Sequence, residues 1–364
     1  MILLYPRQLK KYQANNEKIR GKFKMKKNLI IILAMVLILS LALSACAPKP
    51  AATQPGATVV EKVTLKMSVT TSDTSSWTLG AKKFAELVKE RTNGNVEIKV
   101  FPNEQLAGGS QGKGIEMLMS GAADFSFHSN IIYSIADERF GVISMPWLIP
   151  DTATADEKLS GAGGEAINKL LLEKGIVGLG FGENGFRQIT NNKRPIVTPA
   201  DLSGLKLRIP GIKMFISLYK TLGADPISMN FGEVFTALQQ KTIDGQENPT
   251  DVINSGKINE VQKYMTVWNY AYDSIILGMN KARFDKFDKA TQDILLQAGK
   301  EACEYQKAIN RELSAKQTAE FAAKGMEVTV LTPEQMKPFA DKVQPLYTEY
   351  EPIMGKELID TFRK

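Results

Sequence analysis

Histidine is nearly absent from this chain. Its 364 residues include one, His128, in "ADFSFHS". A catalytic triad or an imidazole metal site would have to rest on it alone. A lone histidine ordinarily satisfies a local hydrogen bond. Cysteine is almost as scarce: Cys46 and Cys303 are the only two, which excludes a disulfide framework. Cys303 falls in a long helical pattern with no histidine near it in sequence, so it reads as a small core residue. No phosphate-loop motif is present. These absences argue against an enzyme and point to no cofactor and no metal.

The net charge of +7 would suggest an acidic partner. Its distribution removes that reading. Residues 1–45 hold nine Lys or Arg and one acid, leaving 37 basic and 38 acidic residues in the rest. The body is close to neutral, with its charges mixed along helix faces, which excludes nucleic acid as a partner. The basic segment is a leader. "KFKMKKN" is a positive region, "LIIILAMVLILSLA" an apolar run, and "LSAC" ends at Cys46. This is the order of a secretory signal, and its last four residues resemble a bacterial lipobox, which makes Cys46 the expected lipidation site. Met25 opens a complete signal by itself, so residues 1–24 read as an upstream extension. Residues 46–62, rich in Pro, Ala and Thr, read as a flexible tether. The expected location is outside the cytoplasm, lipid-anchored to the outer face of the cell membrane or periplasmic.

From Val63 strands and helices alternate. "VTLKMSV", "VEIKVF" and "ADFSFHS" read as strands separated by helices, the first capped by Ser75 or Ser76. A second region repeats the pattern through "IVGLGFGE", "LKLRIPG" and "DPISMN", and "YDSIILGMN" reads as a strand returning to the first. Helical spacing then continues past thirty residues from Lys289. Its expected apolar stripe is Ile294, Leu295, Ala298, Ala302, Tyr305, Ile309 and Leu313. The fold class is α/β: two lobes of a periplasmic-binding-protein-like fold, each a mixed sheet flanked by helices, with one long lobe-spanning helix. Lobe I is expected at residues 63–184 plus 274–313, and lobe II at 185–273 plus 314–364. The stretch "TIDGQENP" after the helix "FGEVFTALQQK" reads first as a turn, with Asp244-Gly245 as the bend.

Two arginines stand out by position. Arg187 follows the strand "IVGLGFG", and Arg208 ends the strand "LKLR". Strand ends are where α/β proteins place ligands, and the planar guanidinium matches a carboxylate. Each is also open to the ordinary reading of a structural ion pair. The segments "ENGFRQITNNKRPI", "ADLSGLKLRIPG", "LYKTLGADPISMNFGEVFTALQQKTIDGQENP" and "FAELVKERTNGNVEIKVFPNEQLAG" resemble the solute-binding proteins of TRAP transporters, the C4-dicarboxylate-type family. The likeness runs from about Val63 to the C-terminus.

That resemblance implies a receptor that binds an organic acid between its lobes and delivers it to TRAP membrane permease subunits. The acid is a mono- or dicarboxylate, a sugar acid or a keto acid. The resemblance implies that Arg208 makes the two-pronged salt bridge to the carboxylate, that Arg187 adds a second cationic contact, and that Asn248 donates to the same group. Phe231 packs on the ligand, and Asn184 stands on the cleft wall. Ser75–Trp77 and Phe127–Asn130 are expected to line the first lobe, adding Trp77 and His128 to the ligand-binding set. Gln246 and Glu247 are expected to brace the hinge. The family often carries a histidine where this chain has Tyr270. A carboxylate-binding lipoprotein serving a sensor or an ABC transporter is the alternative, and an enzyme on the same scaffold a weaker one.

Overall fold

The structure is a computed structural model that describes residues 62–363. The leader, Cys46 and the tether up to residue 61 lie outside the described residues. Among the described residues, eleven strands form two sheets. In chain order they are β1 (Val63–Val69), β2 (Val96–Phe101), β3 (Phe125–Ser129), β4 (Ile176–Phe186), β5 (Gln188–Asn191), β6 (Lys206–Ile209), β7 (Asp225–Ser228), β8 (Gly245–Asn248), β9 (Tyr264–Val267), β10 (Tyr272–Asn280) and β11 (Glu327–Val330). The first sheet has the order β2-β1-β3-β10-β4 and the second β11-β9-β5-β8-β6-β7. Both are mixed. β1 runs parallel to β2 and β3, with β10 antiparallel to β3 and β4. β6 runs parallel to β7 and β8, with β5 antiparallel to β8 and β9.

The helices are α1 (Ser76–Arg91), α2 (Gln111–Ser120), α3 (Asn130–Ala136), α4 (Thr152–Ser160), α5 (Ala162–Glu173), α6 (Lys213–Leu222), α7 (Phe231–Gln239), α8 (Thr250–Ser255), α9 (Lys281–Phe284), α10 (Lys289–Ala323), α11 (Pro333–Lys342), α12 (Gln344–Met354) and α13 (Lys356–Arg363). Their ends follow local chemistry. Ser75 caps α1 by accepting from the Thr78 amide, and Asp288 caps α10 by accepting from the Thr291 amide.

The chain passes between sheets at two adjacent points. β4 runs into β5 through Arg187, and β9 runs into β10 through residues 268–271. The Arg187 amide donates to the Ala271 carbonyl at 3.0 Å, tying the crossings together. The third link is α10, 35 residues long, which lies against α1 and β4 of one lobe and α8 and β11 of the other. Residues 344–363, expected in lobe II, touch both lobes: α12 packs on α6 of the second, where Ser217 Oγ donates to Glu349 Oε1 (2.8 Å), and both helices reach the first. α12 and α13 pack on the 3-10 turn Glu138–Ser144, and α13 also packs on α5. The reason is apolar cover: Leu346, Tyr350, Met354, Ile359 and Phe362 are all buried there.

Two expectations need correction. "TIDGQENP" is not only a turn, because Gly245–Asn248 is the strand β8, buried at every residue in the interior of the second sheet. The stripe of α10 also differs. Leu295, Ala298, Gly299, Ala302 and Cys303 are buried, but the face continues through Gln306, Asn310 and Gln317 to Phe321. Tyr305 is exposed. Polar residues occupy this face because irregular backbone lies beneath it. β4 carries a bulge opposite Asp273/Ser274 that leaves Asn184 without a partner in the register. Gln306 Nε2 donates to the Glu183 carbonyl (2.8 Å), and the Glu183 amide donates to Gln306 Oε1 (2.8 Å). Asn310 Nδ2 donates to the Asn184 carbonyl at 3.3 Å. Buried backbone groups without partners are costly, and these two amides supply them. Cys303 is buried and unpaired, with its thiol pushed well above the usual range by that burial.

Two glycine spacings imitate enzyme fingerprints, and the fold disposes of both. "GGSQG" has the spacing of a nucleophile elbow, but Ser110 is the N-cap of α2 and accepts from the Lys113 amide. "GFGENG" has dinucleotide-loop spacing, but it lies inside β4 and opens no helix.

Glycine also lets α10 approach β4 closely. A Cβ on Gly299 would stand 2.7 Å from both Leu179 Cβ and Leu179 O. Gly299→Ala should destabilise the protein by about 1–3 kcal/mol, because the clash with backbone outweighs the helix-propensity gain of about 1 kcal/mol. A denaturant midpoint equal to or above wild type would contradict this packing.

Candidate ligand site

The C-terminal ends of parallel strands from both sheets meet at one cavity, the position at which α/β folds hold ligands. Thr70 and Thr71 follow β1, Ser129 ends β3, Arg208 lies near the end of β6, Asn248 ends β8, and Phe231 follows β7. With the lobes in this position the cavity has about 20 Å³ of space open to a water-sized sphere, room for about one water. Its lining includes Trp77, Asn184, Arg187, Arg208, Asn248 and Asp273, and an apolar side formed by Ile131, Ile132, Pro210, Phe231 and Val252.

The two arginines differ in how they are held. Arg187 is committed. Its Nε donates to Glu247 Oε2, and its Nη2 donates to Glu247 Oε1 (2.9 Å), the Glu247 carbonyl (2.9 Å) and Asn248 Oδ1 (3.0 Å). Nη1 donates to Asp273 Oδ2 at 2.5 Å. Burial opposes its charge, but Glu247 and then Asp273 hold it above the ordinary arginine range. Tyr270 supports the cluster from behind, donating to Glu247 Oε2 at 2.7 Å. Its phenol lies in an aromatic cluster with Trp147, Trp268, Phe215 and Tyr219 and does not line the cavity.

Arg208 is not committed. It is 1 % exposed and forms no ion pair among the described residues. Nε and Nη2 both donate to the Met229 carbonyl at 3.0 and 2.8 Å, and Nη2 lies 3.4 Å from Gln111 Oε1. Nη1 has no hydrogen-bond partner among the described residues. Desolvation pushes this guanidinium down to about 9, with Glu247 opposing the shift and Arg187 adding to it. At neutral pH it is still a cation. A buried charge without a counter-ion is unfavourable, and such a site is completed by an anion. The Phe231 ring lies 5.9 Å from the guanidinium carbon, a cation–π contact that also fixes the ring beside the cavity.

The bulge in β4 aims Asn184 into the cavity. Trp77 Nε1 donates to Asn184 Oδ1 (3.0 Å), and Asn184 Nδ2 donates to Asp273 Oδ2 (2.7 Å). Ser129 Oγ donates to Asp273 Oδ1 at 2.5 Å. Burial raises the Asp273 carboxyl above its usual range, with Arg187 as the main opposing influence. Of Ser75–Trp77 only Trp77 lines the cavity, and of Phe127–Asn130 only Ser129 does. His128, expected in the ligand set, is not in the lining. It is fully buried, with Nε2 2.8 Å from Glu104 Oε1. The alternation of β3 explains this, since neighbours in a strand face opposite ways. Glu104 also receives Ser68 Oγ (2.8 Å) and Thr70 Oγ1 (2.7 Å). Burial pushes the Glu104 carboxyl up, but the charge of His128 and these hydrogen bonds bring it below the usual range.

Gln111 and Asp273 were missed by the sequence reading. Gln111 is an ordinary helix N-terminal residue and carries no signal. Asp273 did carry one: it is an acid in the strand "YDSIILGMN", whose nine residues are all buried. Gln246 Nε2 donates to Thr190 Oγ1 (3.0 Å), and Asn248 Nδ2 donates to Gln246 Oε1 (2.6 Å). Gln246 therefore orients Asn248 from within the sheet.

A two-lobed receptor with a polar, cation-bearing cleft is the class that this fold and cavity define. Residues 67–352 match the model of the bacterial extracellular solute-binding proteins, family 7. The 2,3-diketo-L-gulonate-binding periplasmic protein of Escherichia coli is 37% identical over 283 residues, covering 76% of this chain and 83% of that protein. Among solved structures, a TRAP periplasmic solute-binding protein of Ralstonia eutropha with bound (S)-2-acetolactate is 32% identical. Its TM-score is 0.80, over 82% of this chain and 97% of the other. The sugar-acid-binding protein of Advenella mimigardefordensis, in complex with galactonate, is 31% identical with a TM-score of 0.80, over 83% and 97%. The chain belongs to the family 7 extracellular solute-binding proteins and is a solute receptor of the TRAP type, a family of binding proteins that work outside the cytoplasm.

Replacing Arg187 by an uncharged residue would leave Glu247 and Asp273 buried and facing each other. Arg187→Met should lower stability by roughly 3–5 kcal/mol. Chemical denaturation of the ligand-free protein is the check, and a change below about 0.5 kcal/mol, the size of an ordinary surface substitution, would contradict the geometry.

Proposed function

We propose that this receptor captures an organic acid by its carboxylate at Arg208 and performs no chemistry on it. The observation that carries this reading is the buried guanidinium of Arg208, which has no acidic partner among the described residues. A carboxylate entering the cavity meets the free Nη1 and takes up charge-assisted hydrogen bonds in a site shielded from water, where such bonds are strongest. Asn248 keeps one amide hydrogen beyond its bond to Gln246, and it adds that donor to the same carboxylate. Arg187 acts at one remove, as the support that fixes Asn248, Glu247 and Asp273. Phe231 and Trp77 close on the carbon skeleton, and Asn184 stands on the opposite wall.

Lobe closure brings together polar groups from both lobes. Ser72 Oγ donates to the Ser255 carbonyl (3.1 Å), and Ser76 Oγ donates to Asp251 Oδ2 (2.8 Å). Gln111 of lobe I accepts from the Phe231 amide of lobe II (3.2 Å). These contacts exchange readily with water when the lobes part. The closed receptor then docks on the membrane permease of a TRAP system. Export by the leader and a lipid on Cys46 would hold it at the membrane. Cys46→Ala should abolish labelling by a fatty-acid probe and release the protein from the membrane fraction. Labelling that persists in the variant would remove Cys46 from this role.

The two arginines separate stability from binding. Arg208→Met should weaken binding of the ligand acid by roughly 2–5 kcal/mol. It should do so without the large loss of stability expected of Arg187→Met, since it removes an unpaired buried charge. Titration calorimetry and denaturation on the same preparations test this pair. Unchanged affinity in Arg208→Met would overturn the proposed role.

A further inference from the structure

Charge around the cavity limits what can follow the first carboxylate. Among the described residues, Arg187 and Arg208 are the only cations in the lining, and Arg187 is consumed by Glu247 and Asp273. Two carboxylates therefore face the one guanidinium of Arg187, and Arg208 is the one cation without an acidic partner among the described lining residues. One ligand carboxylate neutralises it. The remaining polar wall is Asp273 with Ser129 and Asn184, both of whose side chains already donate to Asp273, together with the neutral Thr70, Thr71 and Gln111. The rest of the lining is apolar or neutral. Lys257 is exposed and does not line this cavity; it lines an adjoining recess that shares Thr70, Gln111 and Phe231 with it.

We infer that the ligand is a monoanion, a short carboxylic acid whose remainder is uncharged and bears hydroxyl or keto groups, and that Asp273 is the residue that rejects a second carboxylate. This rests on Arg208 as the carboxylate site. Asp273 Oδ1 receives only Ser129 among the described residues, so a ligand hydroxyl can donate to the same carboxylate, which a second ligand carboxylate cannot do. A like charge there, away from water, is repelled and loses its hydration without return. The apolar side suits a short carbon skeleton.

Matched acids test the inference on the wild-type protein: D-erythronate against succinate and tartrate, and galactonate against galactarate, by titration calorimetry. Acetolactate and 2-ketobutyrate extend the panel to keto acids. At least one monoanion should bind roughly tenfold or more tightly than every dicarboxylate of its own or similar length. A dicarboxylate that binds as tightly as the best monoanion overturns the inference, as does failure of every monoanion to bind. Asp273→Asn should narrow the ratio between monoanion and dicarboxylate by roughly tenfold, and a folded variant with an unchanged ratio overturns the role given to Asp273. Arg208→Ala separates the two readings. Dicarboxylate binding that is lost in Arg208→Ala leaves the carboxylate site standing and sinks only the monoanion inference. Binding of any acid that survives Arg208→Ala sinks the site itself.

Discussion

One buried cation holds the crossing between the lobes. Arg187 stands between β4 and β5, the point where the chain leaves the first sheet for the second. It is paired with Glu247 of the second sheet and Asp273 of the first. A guanidinium with this many charge-assisted bonds fixes the relative position of three strands. It also determines the electrostatics of the cavity. Because its charge is used internally, it cannot serve as a free anion site. Arg208 lies 21 residues further along the chain in β6, with β8 between it and β5, and has no acidic partner among the described residues.

The interior near this crossing is polar for the same reason. Strands β5 and β8, "QITN" and "GQEN", are buried at every residue and contain one aliphatic side chain between them, Ile189. Their side chains satisfy each other and the backbone. Gln246 meets Thr190, Thr190 meets Gln262, and Gln306 and Asn310 of α10 cover the bulge at Asn184. An unsatisfied member of such a network would cost more than its hydrogen bonds return. The arrangement places neutral donors and acceptors, and one carboxylate, around a pocket in which the Arg208 guanidinium has no acidic partner among the described residues.

The periodic elements could be read along the chain. β1, β2, β3, β10 and the long helix appear at nearly the residues expected, because each has an apolar face or a capped end. β5 and β8 could not be read that way. Their burial depends on hydrogen bonds to distant residues, and nothing in a polar tetrapeptide signals that partners will be supplied from 56 to 61 positions away, as for Gln246, Glu247 and Asn248. The stripe of α10 failed for the same reason. Hydrophobic spacing cannot reveal that a glutamine at 306 will meet the peptide groups of Glu183. His128 was misplaced by proximity, since a residue at a strand end can face either side, and its strand partner Ser129 took the cavity.

The sequence by itself determined the export signal pattern, the α/β alternation, the two-lobed organisation and the two arginines at strand ends. These follow from local composition, periodicity and position. It could not determine which arginine was free. Both sit at strand ends with similar neighbours, and both carry the same charge. Only the tertiary structure decided between them, by bringing Glu247 and Asp273 to Arg187 and leaving Arg208 with the Met229 carbonyl. A charge's availability depends on what surrounds it in space, and the chain order of 187, 208, 247 and 273 does not contain that information.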